Sequence, residues 1–208
     1  MNITSNREVL KKLYSPFGWV LAKAKVPPNA ITFAALIFGT LAAYLYYQGR
    51  PVMGAFFLFV SGILDLSDGY VAVNNKKATK FGAVFDWIAD KWVDGFVLGA
   101  VALRYANPWV ALLVVVSTML HTFIKPVAYA EIGYAERTTG KIKDPLERTG
   151  FFGRPETFIV LFICSILYPL NHKILTYGIE FIAVMSLLSL LHRVYYLYRR
   201  YGKEYEVE

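Results

Sequence analysis

The sequence predicts an all-α integral membrane protein: six transmembrane helices preceded by an amphipathic juxtamembrane helix. Three observations carry this expectation. Hydrophobic residues make up 56% of the 208-residue chain and the mean hydropathy is +0.42, well above the level of soluble domains. The apolar residues gather in runs of about 20, the length that crosses the hydrocarbon of a bilayer. Finally, the 22 Lys and Arg residues collect in alternate connections, the positive-inside pattern.

In chain order, "MNITSNREVLKKLYSPFGWVLAKAK" lacks the apolar core and cleavage site of a signal peptide. Its Val9, Leu10, Leu13, Phe17, Val20 and Leu21 recur at helical spacing among Lys11, Lys12, Lys23 and Lys25, which suits a helix lying on a membrane surface. Residues 1–27 therefore form the juxtamembrane segment, 28–198 the bundle and 199–208 a polar tail, all within one domain spanning 1–208. Spans are expected near 30–48, 52–73, 82–103, 107–129, 155–171 and 175–196. "QGRP", "YANP" and "LNHK" make short turns, and the longest polar connection is "EIGYAERTTGKIKDPLERTGFFGRPE".

Orientation follows from the basic residues. Both termini, the 74–81 loop and the long connection carry 17 of the 22, whereas Arg50, Arg104 and Lys173 face the other side and Lys91 and Lys125 lie within helices. This bias places the termini and the 74–81 loop in the cytoplasm of a cell membrane. It also accounts for the net charge of +7 as topology, with no nucleic-acid partner. The lone Cys164 rules out a disulfide framework and a CxxC metal site, so any metal would need oxygen ligands.

Such ligands are present in "DLSDGYVAVNNKKATKFGAVFDWIADK", residues 65–91. A carboxylate in an apolar segment costs several kcal/mol unless it is compensated, so an intramembrane acid points to function. Asp65 and Asp68 are spaced i, i+3, and Asp86 and Asp90 i, i+4, so each pair shares one helix face. Two such faces joined by a short loop can converge. Four neighbouring carboxylates repel unless one or two divalent cations hold them. All-oxygen ligation suits Mg²⁺ or Mn²⁺, and a pair of such ions is a common grip on a transferring phosphoryl group. Gly69, Ala72 and Gly82 leave room beside the acids for a ligand to approach the backbone.

Over its acidic and glycine positions, "DLSDGYVA" followed by "GAVFDWIAD" resembles the DxxDGxxAR…GxxxDxxxD signature of the CDP-alcohol phosphotransferases, and eight residues separate Val73 from Gly82 as in that pattern. "PPNAITF" resembles the PNxxT segment that opens the family's first span. Val73 stands where the family usually has Arg, which leaves that arginine's polar contact unaccounted for. The resemblance implies attack of an acceptor hydroxyl on the β-phosphorus of a CDP-alcohol, with release of CMP. It assigns Asp65, Asp68 and Asp86 to the metals, Asp90 to the metal site and the general base, and Gly69, Ala72, Thr79 and Gly82 to the cytidine pocket. It further implies a CDP-linked lipid donor and a homodimer. An inositol phosphate acceptor follows from the likeness of "GRPE" and its loop to archaetidylinositol and phosphatidylinositol phosphate synthases. Glycerol phosphate as acceptor and a soluble CDP-inositol donor are the alternatives.

Other residues keep two readings. Lys91 is either a contact for the acceptor phosphate or an ion-pair partner of Asp94. Arg154 belongs to the acceptor site or anchors the chain at the membrane face, and Arg148 and Lys125 are weaker candidates for the acceptor. His121 suits a hydrogen bond between helices, and His172 and His192 suit interfacial positions. The competing function is a divalent cation transporter, in which the acids would bind the transported ion. It calls for acids near the midplane and matched broken helices, a pattern the sequence does not display.

Overall fold

The computed structural model describes residues 7–132, 137–138, 141–142, 146 and 149–202, with the side chains of residues 7–13, 137–138 and 141–142 outside that description. Among these residues seven helices follow one another: α1 (Arg7–Lys23), α2 (Pro28–Tyr47), α3 (Pro51–Asn74), α4 (Lys80–Tyr105), α5 (Pro108–Ile132), α6 (Arg154–Leu167) and α7 (Ile174–Tyr201). Between α5 and α6, β1 (Arg137–Thr138) pairs antiparallel with β2 (Lys141–Ile142), a two-residue ladder that the sequence reading left within the long connection.

The helix starts are chemically marked. Proline occupies the first turn of α2, α3 and α6, where its missing N–H removes a donor that has no intrahelical partner. Asn107 Oδ1 accepts from Trp109 N at 3.0 Å and Val110 N at 3.1 Å at the head of α5. Thr79 caps α4 by accepting from Gly82 N at 2.9 Å. Glu156 Oε2 accepts from Gly153 N at 3.0 Å at the head of α6.

Among the described residues four helices, α2, α3, α5 and α7, are long and apolar enough to cross a membrane, which makes this an all-α membrane protein. The 26 residues of α4 give about 39 Å of length, but its first half carries Asp86, Asp90, Lys91 and Asp94. The 14 residues of α6 reach only about 21 Å. It stops at Leu167, short of the expected 171, where Leu170 N and Asn171 N both turn back to Leu167 O.

α4 is the centre of the bundle. It packs on α2 on one side and on α5 and α7 on the other, while α3 joins α2, α1 and α6. The core runs along these seams through Ala42, Tyr46, Val97, Val101, Leu161 and Ile179. Outward faces carry Trp109, Leu170, Phe56 and Leu103, all more than half exposed, as lipid-facing surfaces require. Where lipid is as apolar as the core, close packing and hydrogen bonds between helices hold the bundle together. Gly39 lets α2 approach Val93 of α4 and Ser61 of α3 so closely that a side chain would collide with both. Ser61 Oγ donates to Ala35 O at 2.7 Å, and Tyr46 Oη lies 2.8 Å from Ser165 Oγ.

Candidate active site

The end of α3 and the start of α4, joined through residues 75–79, bring the acids together. One carboxylate oxygen from each of Asp65, Asp86 and Asp90 lies within 4.8 Å of the other two. Asp68, the fourth acid of the expected set, is not part of this trio, although it lines a cavity in common with Asp86. It is buried and receives the hydroxyl of Thr32 from α2. The helical spacing of the pairs therefore put three acids in one cluster and turned the fourth into the neighbouring cavity.

That cavity, of about 220 Å³, is lined by Asp68 and Asp86 together with Gly69, Ala72, Thr79 and Gly82, the four residues expected around a cytidine. A methyl group at Gly69 would meet nothing within 4 Å, so the missing side chain opens space instead of serving packing. At Gly82 it would sit 3.0 Å from Asn29 Oδ1 and Thr79 Oγ1. Val73 lines the same cavity and is 73% exposed, so an arginine at this position would reach its mouth.

Arg154 enters the acidic cluster from the head of α6. Its Nη1 lies 3.0 Å from Asp65 Oδ2 and 2.7 Å from Asp90 Oδ1, and its Nε donates to Asp94 Oδ1 at 2.9 Å. The guanidinium carbon stands 5.1 Å from the centre of the Phe158 ring. Lys91 Nζ donates to the other oxygen of Asp94 at 2.7 Å. The structure thus gives Lys91 its ion pair with Asp94, and it places Arg154 among the carboxylates, beyond either role expected for it. Lys91, Asp94 and Arg154 also line a small cavity of about 30 Å³ with His121, Thr118 and Thr122 of α5. Lys125, one turn after His121, is half-buried and lines neither cavity. Arg148 lies outside the described residues.

The sequence reading missed Arg193, counted there only as a membrane-face cation. Arg193 is 4% exposed, donates through Nε to Thr149 O at 2.9 Å and through Nη1 to His121 O at 2.5 Å. His121 Nε2 lies 3.0 Å from Ser189 Oγ, which bears out the expected bond between helices. Ser189 Oγ in turn accepts from Phe151 N at 3.1 Å and Phe152 N at 3.2 Å. Gly150, at φ 84, sits against all three side chains; a non-glycine residue there would be strained. The available signal was a charge within the apolar run "SLLSLLHRVYY", flanked by serines on the same helix face. His192, far from the end of α7, meets Gly150 N at 3.4 Å, and His172 packs on the Tyr168 ring beyond α6.

The trio fits a divalent cation. Its donors are all carboxylate oxygens, they come from two helices onto one point, and their charge is met by a guanidinium in van der Waals reach. A membrane-embedded helical bundle with an all-oxygen acidic centre beside an open cavity defines a class, the intramembrane enzymes that handle charged, phosphate-bearing substrates. The chain belongs to the CDP-alcohol phosphatidyltransferase family, whose model matches residues 25–191; it is a transferase of phosphate-containing groups.

Among its relatives, the archaetidylinositol phosphate synthase of Pyrococcus horikoshii is 25% identical over 91% of this chain and 93% of its own length. The phosphatidylinositol phosphate synthase of Mycobacteroides abscessus is 28% identical over 75% of this chain and 69% of its own. The fold matches a crystal structure of the Mycobacterium tuberculosis phosphatidylinositol phosphate synthase with CDP-DAG bound, at a TM-score of 0.74 and 20% identity, covering 95% of this chain and all of that one. A second structure of that enzyme, in complex with manganese and citrate, matches at a TM-score of 0.72 and 22% identity over 89% and 88% of the two chains.

Proposed function

We infer that this enzyme transfers the phospho-alcohol group of a CDP-linked lipid, CDP-diacylglycerol or CDP-archaeol, to a hydroxyl of inositol phosphate and releases CMP. The observation that carries this is the contact of Arg154 with Asp65 and Asp90, which sets an anion-binding side chain beside the acidic trio. The acceptor named in the archaetidylinositol and phosphatidylinositol phosphate synthases supports the same choice.

In this scheme Gly69, Ala72, Thr79 and Gly82 receive the cytidine, their cavity adjoining Asp68 and Asp86. Asp65, Asp68, Asp86 and Asp90 would hold Mg²⁺ or Mn²⁺, two ions in all, with Asp68 reaching them from its bond to Thr32. When bound, such ions neutralise the phosphate oxygens and the departing CMP oxygen. Lys91 and Arg154 meet the phosphate of the acceptor, with Lys125 and Arg148 as the weaker candidates for the same contact. Asp90 accepts the proton of the attacking hydroxyl. The new bond joins the acceptor oxygen to the β-phosphorus as the bond to CMP breaks, and the electron pair leaves on CMP. Holding the two reactants in line supplies much of the rate enhancement in such transfers.

The rest of the architecture follows the same scheme. All 208 residues form one domain, with α1 on the membrane surface, where Phe17, Trp19 and Val20 stay exposed. The six helices from α2 to α7 cross or enter the bilayer, both termini and the acids face the cytoplasm, and two copies form a homodimer. The acids lie toward the end of the bundle that bears the lysine-rich 75–80 loop, which argues for a catalytic centre over a transport path.

The test is CMP release by detergent-purified protein supplied with Mg²⁺ or Mn²⁺, CDP-diacylglycerol, CDP-archaeol or CDP-inositol, and a panel of inositol phosphate, glycerol phosphate, inositol and serine. Release that requires inositol phosphate and is lost in Asp90→Asn establishes the reaction. Release that requires glycerol phosphate reassigns the acceptor, and divalent binding with no release under any pairing restores the transport alternative.

A further inference from the structure

We propose that Arg154 is a built-in counter-ion that competes with the divalent cation for Asp65 and Asp90, so that its guanidinium leaves those carboxylates when the cation arrives. This rests on the divalent site inferred above and adds a role for a side chain of this protein. Nη1 of Arg154 sits between the two carboxylates, 3.0 Å from Asp65 Oδ2 and 2.7 Å from Asp90 Oδ1. Asp65 and Asp90 are two of the three acids whose oxygens converge. A divalent ion bound there would face the guanidinium at contact distance, and like charges so close in a half-buried site repel strongly. Asp65 Oδ2 also accepts a hydrogen bond from Nη1, which occupies a lone pair that ligation needs, while Asp90 Oδ1 meets the same nitrogen as an ion pair only.

The same side chain has a second hold that lies outside the trio. Its Nε donates to Asp94 Oδ1 at 2.9 Å, and Asp94 is itself fixed by Lys91 Nζ at 2.7 Å on its other oxygen. Arg154 can therefore swing Nη1 away from Asp65 and Asp90 while remaining tethered to Asp94. The space beside that tether is the cavity of about 30 Å³ that Lys91, Asp94, His121 and Thr122 also line, which gives the guanidinium room to shift. A phosphorylated acceptor that takes the guanidinium there would strengthen cation binding, and the cation would strengthen acceptor binding by the same factor.

The experiment is a titration of the detergent-purified full chain with Mn²⁺ alone, following free Mn²⁺ by electron paramagnetic resonance, for wild type, Arg154→Gln and Arg154→Lys. Arg154→Gln binds Mn²⁺ more tightly by about tenfold, a size usual for coupled sites. Arg154→Lys, which keeps a charge but cannot bridge both carboxylates while holding Asp94, tightens by about threefold on the same scale. Unchanged or weaker Mn²⁺ binding in both variants overturns the competition. Repeating the titration with inositol phosphate present separates this from the acceptor assignment. Tightening in wild type that disappears in Arg154→Gln supports both, whereas tight Arg154→Gln binding with no inositol phosphate effect in wild type supports the competition and removes Arg154 from the acceptor site.

Discussion

Thr32 of α2 donates its hydroxyl to Asp68 Oδ2 of α3 in a contact shielded from water, the two residues being 3% and 5% exposed. The bond ties the "PPNAITF" segment, where the bundle begins, to the acid that faces the cavity of about 220 Å³. A buried carboxylate deprived of a donor bears the desolvation cost alone.

Thr32→Val keeps the branched shape and removes the donor. It is expected to lower stability by about 1–3 kcal/mol, seen as a lower midpoint when the detergent-solubilised protein is heated, whereas Thr32→Ser stays near wild type. An unchanged midpoint in Thr32→Val would show that Asp68 is held by something other than this hydroxyl.

Gly69→Ala separates ligand space from packing. A methyl group at this position touches nothing, and replacing a helical glycine with alanine stabilises a helix by about 0.5–1 kcal/mol. Thermal stability should hold or rise. The KM for the CDP donor should rise by about tenfold, as expected where one added carbon fills a ligand pocket. A rise in the KM for the acceptor alone would move the cytidine elsewhere.

Asp65→Asn and Asp86→Asn each remove a ligand from the trio. Turnover is expected to fall by at least about a hundredfold, the loss usual when an electrostatic partner of the transition state is deleted. Stability should not fall in Asp86→Asn, because that change relieves repulsion between neighbouring carboxylates, whereas Asp65→Asn also loses its ion pair with Arg154. Chelation with EDTA should silence wild type, and added Mn²⁺ should restore wild type alone. Differential scanning fluorimetry with and without Mn²⁺ checks this independently, since the stabilising shift produced by the ion should shrink in both variants.

Ser189→Ala takes the acceptor from two backbone donors at once, Phe151 N and Phe152 N. Each unsatisfied buried donor costs about 1–3 kcal/mol before relaxation. Amide exchange at residues 151 and 152 should accelerate, and the KM for the acceptor should rise more than that for the donor, because Arg154 follows directly on this segment. Equal change in both KM values would mark Ser189 as structural only.

The sequence showed much of this site because its signals are local. Helical spacing alone pairs Asp65 with Asp68 and Asp86 with Asp90, and Gly69, Ala72, Thr79 and Gly82 fall beside them on the same two helices. The helices α2 to α7 were legible for the same reason, to within a few residues at most ends, although among the described residues only four of them are long and apolar enough to cross a membrane; α6 stops early through backbone turns after Leu167 that hydropathy does not register. The missing parts are contacts across many residues. Arg154 lies 89 residues from Asp65 and Thr32 lies 36 from Asp68, and no periodicity relates them. That Asp68 falls outside the trio is of the same kind, since it depends on which neighbour each face meets. Arg193 was hidden by its charge: at a membrane face a cation usually faces lipid headgroups, and only the packing of α5 on α7 shows this one turned inward.

The lock at Gly150 bears on how Arg154 is delivered. His121, Ser189 and Arg193 grip the backbone at Thr149–Phe152 from α5 and α7, and Thr149 N and Oγ1 both donate to the carbonyl of the buried Leu146. The head of α6 is thus set by two helices to which it does not belong, so a change in α5 or α7 that loosens this hinge shifts the guanidinium relative to the acids without touching either.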